Sequence, residues 1–310
     1  MISKNYSRKE FPLHILMIFI DGLGIGVDDA SINPCADKNI SLFNHFLSDE
    51  FPKKASSTGI AIGLDATLGM PGLPQSATGQ TALLTGVNAA RLLGRHLNRF
   101  PNQRLRDVIA EKSIFKQFTR RGCKAAFLNT FRPLFFEYDP YEIIKHLAVT
   151  TVANLYANLP FFKIDDLLQE RSVYHDMTNM SLREMGFDVP LFTPKKAGEI
   201  IGKQTTKYHF CLYEYFLTDK AGHSRDLGRA LKEMLKLEEF LYSVLENVNL
   251  NDTLVLLTSD HGNIEDISVK GHTRNPAMTL IFGKEKETLF PHLHSLSDVA
   301  KGLLNLNCRH

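Results

Sequence analysis

The 310-residue chain has little of several things that would settle its class at once. It has only four cysteines, Cys35, Cys123, Cys211 and Cys308, and no two are close together. That spacing argues against a zinc knuckle and a redox pair and leaves disulfides between distant positions open. Scattered in this way, they are expected to be reduced thiols of a cytoplasmic protein. Excess charge of one sign is also missing: 36 basic against 34 acidic residues leave a formal +2. No field follows that would recruit nucleic acid or a charged membrane surface. No apolar run is long enough to span a bilayer. The run LHILMIFI, preceded by Lys4, Arg8 and Lys9, has the outline of a signal peptide but no small-residue cleavage site after it. It meets Asp21 and a glycine cluster instead, as a buried first strand would. GxxxxGK[ST] is absent, which argues against a P-loop NTPase. There is no internal repeat and no low-complexity tract.

What is present is ordinary globular material, 44% hydrophobic and 23% charged. Short apolar runs at Ile15–Ile20, Ala125–Leu128, Phe210–Leu217, Thr253–Thr258 and Met278–Phe282 read as strands buried on both faces, the mark of a parallel or mixed sheet covered by helices. Helical patterns separate them. The clearest is the stripe Leu227, Leu231, Met234, Leu241, Leu245, Val248; a second helix is expected over Gln103–Gly122. The alternation predicts an α/β fold. The aromatic-rich stretch 131–194 breaks the rhythm, with helices expected near Tyr141–Leu159 and Lys163–Arg171 joined by Pro160. It reads as an inserted cap, leaving a discontinuous core of 1–130 and 195–310.

Three of the apolar runs lead to an aspartate: Asp21, Asp219 and Asp260. Ligands of open α/β sheets bind beyond the carboxyl ends of the strands, so parallel neighbours would bring these carboxylates to one rim. Any one of them alone is more often a turn former or helix cap. Histidines change the balance. His223 lies four residues after Asp219, one helical turn away; His261 follows Asp260 in TSDHGN; His272 sits in GHTRNP before the last strand. Imidazole with carboxylate suits Zn or Mn. Clustered carboxylates repel one another and are driven to hold protons unless cations neutralise them. Six donors are too many for one catalytic ion with open positions, so two divalent ions are expected. The segment GMPGLPQSATGQTALLTG adds turn residues leading into a helix near Ser76. Ser76 is either an N-cap or a nucleophile, with Thr78 and Thr81 as rivals.

These motifs, in this order, resemble the alkaline phosphatase superfamily, most closely cofactor-independent phosphoglycerate mutase and phosphopentomutase. The resemblance covers Leu13–Gly94 and Lys207–Gly283. It implies an alkaline phosphatase-like three-layer core with a mostly parallel sheet and a small inserted cap. The mutases carry their nucleophile in Ser-x-x-Gly, which Ser76-Ala77-Thr78-Gly79 matches. The resemblance implies one metal site of Asp219, His223 and His272, and another of Asp21, Asp260, His261 and the Ser76 oxygen. Two departures stand out: Gln80 replaces the expected glycine-histidine continuation, and the insertion is far shorter than the mutase second domain. The expected activity is cleavage or transfer of a phosphoryl group of a small phosphate ester by a phosphatase or phosphodiesterase. A phosphomutase and a non-catalytic metal-binding protein are the alternatives. A nucleotide-dependent oxidoreductase, prompted by Gly22-Leu23-Gly24-Ile25-Gly26, lacks the required later glycine. Arg91, Arg95, Arg132, Lys220 and Arg274 are available as anion clamps but read as surface charges. No oligomeric state follows from the sequence.

Overall fold

The computed structural model describes residues 13–306. Lys4, Arg8, Lys9 and Cys308 lie outside the described residues. Seven strands form one sheet: β1 His14–Ile20, β2 Lys53–Ala55, β3 Gly59–Leu64, β4 Ala125–Phe127, β5 Phe210–Tyr215, β6 Thr253–Ser259 and β7 Ala277–Gly283. Their order is β2-β3-β7-β6-β1-β5-β4. The half formed by β6, β1, β5 and β4 is parallel throughout, while β7, β3 and β2 add antiparallel pairings. The parallel half explains the unbroken apolar runs. Side chains alternate between the two faces of a strand, so runs without polar interruption are needed where both faces are covered.

The two faces can be read off the strands. Leu16, Ile18, Tyr213 and Val255 point into one core, which is closed by the helices Pro194–Thr205 and Leu227–Asn247 through Ile200, Ile201, Met234, Leu237 and Leu241. Ile15, Met17, Phe210 and Leu256 point into the other, against Leu83, Ile109, Phe115, Phe118 and Leu303. Helix, sheet and helix make three layers. Among the described residues, no helix is long and apolar enough to cross a membrane.

Several boundaries differ from the sequence reading. The expected strand Phe210–Leu217 stops at Tyr215, and a helix spans Leu217–Ser224. The Tyr215 carbonyl accepts from the Asp21 N–H at 2.9 Å and the chain then turns, so Asp219 comes from the first turn of a helix rather than from a strand end. The helix expected over Gln103–Gly122 is two helices, Gln103–Lys112 and Ile114–Arg120, because Ser113 ends one and caps the other with its side chain. The strands β2 and β3 were not foreseen: β2 has only three residues, two of them lysines, and glycines interrupt the apolar pattern of β3. Within 131–194 the expected helices are shorter: Val149–Tyr156 and Ile164–Leu168, with a further one at Met180–Glu184 and 3-10 turns at Pro133–Glu137 and Ile144–His146. Isolated bridges Asn129↔Val173 and Thr130↔Phe162 tie this segment to the end of β4.

Candidate metal centre

The ends of β6, β1 and β5 lie side by side, and their following loops meet above the sheet. Asp21 follows β1, Asp260 follows β6, and the Leu217–Ser224 helix brings Asp219 up beside them. Gly22 turns with φ +72°, and a Cβ there would meet Asp219 Oδ1 at 2.9 Å, so the approach of these two carboxylates depends on glycine. The loops are then pinned. Thr218 Oγ1 donates to the Asp21 carbonyl at 2.6 Å, Leu23 N–H to Ser259 Oγ at 2.8 Å, and Asn263 Nδ2 to Asp219 Oδ1 at 2.6 Å.

All seven residues singled out in the sequence are near this point. Two overlapping groups have donor atoms within 4.8 Å of one another: Asp21, Asp260 and His261, and Asp219, His261 and His272. His261, with no exposed surface, therefore stands between the groups rather than within one. Its ring stacks on His272 with centroids 3.7 Å apart. His223 is the outlying member. Its side chain is 47% exposed, with Nε2 3.3 Å from Asp219 Oδ2, one helical turn along as the spacing requires.

The donors fit a cation. His272 Nδ1 lies 2.8 Å from the Pro74 carbonyl, which can only accept, so this nitrogen is the donor and Nε2 is the atom left for a metal. Nε2 faces Asp219 Oδ1 at 3.6 Å, where a cation could sit between them. His261 Nε2 is approached by the Ser76 hydroxyl oxygen at 3.2 Å and by two carboxylate oxygens, Asp21 Oδ1 at 3.3 Å and Asp260 Oδ2 at 3.5 Å. Asp21 Oδ1 is buried without a hydrogen-bond partner. Burial pushes the Asp21 carboxyl well above the usual range, and the neighbouring Asp260, Asp219 and Glu214 push it further. Burial likewise raises Asp260, against the opposing hydrogen bond from Gln80. Burial holds His261 well below the normal imidazole value, helped by His272. Crowded carboxylates beside an imidazole that resists protonation, His261, need a positive charge from elsewhere, which a divalent ion supplies.

Ser76 is the first residue of a buried helix, Ser76–Thr85, whose N-cap is Gln75 with no side-chain bond. Ser76 is thus not a capping residue. Thr81 Oγ1 donates to the Ala77 carbonyl at 2.6 Å and Thr78 Oγ1 to the Gln75 carbonyl at 3.1 Å, so both rival hydroxyls are engaged by backbone. Ser76 Oγ instead faces His261. The Ser-x-x-Gly spacing gains a physical reason: a Cβ at Gly79 would lie 2.7 Å from the Asp260 carbonyl oxygen, so only glycine lets this helix rest against the Asp260 loop.

Two positioning residues were missed in the sequence. Gln80, noted there only as a departure, donates through Nε2 to Asp260 Oδ2 at 3.1 Å. Glu265 is fully buried and accepts from Gly24 N–H at 3.0 Å, Asn263 N–H at 2.7 Å, Thr273 Oγ1 at 2.5 Å and Asn275 Nδ2 at 3.0 Å. It ties the loop after β1 to the TSDHGN loop and the GHTRNP segment. An acidic residue four positions past the aspartate-histidine pair was the available signal. Of the clamp candidates, Arg274 is committed to the Gly72 carbonyl at 2.9 Å.

The Metalloenzyme superfamily model matches residues 190–307. A 2,3-bisphosphoglycerate-independent phosphoglycerate mutase of Desulforudis audaxviator is 34% identical over 106 residues, 32% of this chain and 21% of that protein. The corresponding mutase of Ehrlichia ruminantium is 22% identical over 222 residues, 67% of this chain and 38% of that protein. The chain thus spans well under half the length of the curated relatives it matches. Among solved structures, alkaline phosphatase from the Antarctic bacterium TAB5 aligns with TM-score 0.56 and 14% identity over 94% of this chain and 97% of that one. Thermus thermophilus alkaline phosphatase aligns with TM-score 0.52 and 10% identity over 100% and 96%. These structural likenesses are of fold.

Proposed function

We propose, from the premise that the chain is an alkaline phosphatase-superfamily metalloenzyme with metal-site motifs resembling cofactor-independent phosphoglycerate mutase, that it transfers the phosphoryl group of a small phosphate ester through Ser76. The observation that carries this reading is the place of Ser76 Oγ: at the start of a buried helix, 3.2 Å from the imidazole shared by both donor groups. Asp21, Asp260, His261 and the Ser76 oxygen would hold one divalent ion, and Asp219, His223 and His272 the other, with Mn or Zn suited to the mixed oxygen and nitrogen set. Such ions, when bound, supply Lewis-acid stabilisation of the serine alkoxide, the phosphoryl oxygens and the leaving oxygen.

The remaining work falls to the protein. The amino end of the Ser76–Thr85 helix favours an anionic phosphoryl group. Ser76 Oγ attacks phosphorus in line, the bond to the leaving oxygen breaks, and a phosphoserine forms. Water then attacks phosphorus, releasing phosphate and regenerating the serine hydroxyl. Gln80 and Asn263 fix the orientations of Asp260 and Asp219, and Glu265 holds the loops that carry them. Segment 131–194 is the cap that controls access to this rim.

A phosphomutase is the second reading, favoured by the sequence likeness to mutases. In that case a second hydroxyl of the bound substrate, rather than water, takes the phosphoryl group. The test is turnover of 4-nitrophenyl phosphate and bis(4-nitrophenyl) phosphate with Mn or Zn, beside elemental analysis of the purified protein. Metal-dependent release of nitrophenol that disappears in Ser76→Ala supports the proposal. Undiminished release in that variant removes Ser76 from the chemistry, and bound metal without turnover on any ester leaves a non-catalytic metal-binding protein.

A further inference from the structure

Beside the metal centre, the same edge of the sheet carries a cavity of about 460 Å³ that the chemistry above does not use. The donors stand over the ends of β6 and β1. The cavity lies at the β5–β4 end, with Phe127 of β4 and Glu214 of β5 in its wall. One short stretch of chain links the two. Glu214 and Phe216 line the cavity, Tyr215 between them accepts from the Asp21 N–H, and Phe216 leads directly into the helix that bears Asp219. Glu214 is also near enough to Asp21 to raise its carboxyl electrostatically.

The lining of this cavity is largely aromatic, with Arg132, Asn129, Thr130 and Thr151 as polar members of its wall. Phe131, Phe135, Tyr138, His175 and Phe216 contribute rings. Phe131 and Phe135 pack with centroids 4.6 Å apart, and His175 stacks on Phe216 at 4.7 Å with planes 27° apart. One buried acid interrupts the rings. Glu214 accepts from Thr150 Oγ1 at 2.7 Å through Oε2, and its backbone is held on both sides by the Asn129 amide. It is a positioned acceptor set among ring faces. A site built to hydrogen-bond one polar group inside an apolar wall selects strongly for ligands that carry it.

We propose that this cavity seats the alcohol portion of the substrate, and that this portion is a planar aromatic ring rather than a short polyol or a three-carbon acid. The proposal rests on the phosphoryl-transfer reading and names the substrate class for the same site: monoesters of ring-bearing alcohols, the ester oxygen towards Ser76 and the ring between Phe135 and Phe216. A three-carbon acid would leave the rings unused, and the ring faces are the larger part of the wall. Burial pushes Glu214 up to about 7 and holds His175 down to about 4, so neither adds a full charge to the wall at neutral pH and Arg132 is its one full cation.

The test compares kcat/KM for 1-naphthyl phosphate and glycerol 2-phosphate, with Mn or Zn, in the native chain, Phe135→Ala and Tyr138→Ala. It also measures 1-naphthol binding to Ser76→Ala protein by fluorescence. Tyr138 is 52% exposed, so its removal leaves a folded protein if Phe135→Ala does not. The expected result is a fall of about tenfold in the naphthyl-to-glycerol ratio in either variant, carried by KM, with a matching loss of naphthol affinity. An unchanged ratio in a chain that turns over both esters overturns the ring site and leaves the phosphoryl-transfer reading intact. Naphthol binding that weakens in Tyr138→Ala, in a chain that cleaves no ester, supports the ring site and overturns the reading it was built on.

Discussion

The metal centre and the aromatic cavity share one edge of one sheet, yet they are assembled in opposite ways. The centre is made of residues held by buried hydrogen bonds to neighbouring loops: Asp219 by Asn263, Asp260 by Gln80, and three loops by Glu265. The cavity is made of rings from 3-10 turns and loops of segment 131–194 laid over the ends of β4 and β5. In the first, each side chain has one orientation that satisfies its partners. In the second, contact area matters more than direction. The difference teaches that the two regions constrain the sequence differently: the polar cluster constrains which residue types can stand where, and the rings constrain shape.

The comparison is broken most sharply by Ser76→Ala. Turnover of phosphate esters should fall by about a thousandfold or more while bound metal and 1-naphthol affinity persist. Elemental analysis beside the fluorescence titration reads both regions in one sample. Next in size is Asp260→Ala, which removes a donor of one metal group. It should lower metal content and cut activity on the order of a hundredfold, with naphthol binding retained. If naphthol binding falls equally, the two regions are one cooperative unit.

Glu265→Ala reads the scaffold alone. Four donors, from Gly24, Asn263, Thr273 and Asn275, lose their acceptor in the interior. Urea denaturation should show a loss of about 3 kcal/mol or more, since each unpaired buried group costs roughly 1–3 kcal/mol.

The smallest effect expected is on pH. Asp21 and Asp260 have carboxyls raised by burial, so the folded chain holds these protons more tightly than the unfolded one. Their contribution to stability is present below the unfolded carboxylate range near 4 and is lost as pH rises through the folded values. A divalent ion must displace the same protons. The rise in melting temperature on adding Mn or Zn should therefore grow between pH 6 and pH 8.5 in the native chain and flatten in Asp260→Asn. His45 and His175, held down to about 4 by burial, act in the other direction. Their contribution is present above about 6.5 and lost as pH falls towards 4, so the metal-free protein should melt earlier in acid.

Much of the centre was legible because its signals are local. A strand running into Asp21, a one-turn Asp219 to His223 spacing and the contiguous TSDHGN loop each specify geometry over a few residues. The choice of Ser76 over Thr78 and Thr81 rested on likeness alone until their hydroxyls were seen to be occupied by backbone carbonyls. The position of His261 between both donor groups, and the part played by Gln80 and Glu265, depend on contacts across 180 or more residues for Gln80 and 241 for the Gly24–Glu265 bond. Spacing within one stretch carries no information about such pairs.

By itself, the order of apolar runs and punctuating glycines determined an α/β sheet with carboxylates and imidazoles at its rim, because burial on both faces and short-range turn geometry are written in neighbouring residues. Only the tertiary structure decided which strands lie adjacent, which imidazole is shared, and that the aromatic stretch closes over Glu214 to form a cavity beside the donors. Those outcomes are set by packing between segments far apart in the chain, where many pairings satisfy the same local pattern and only the assembled core selects one.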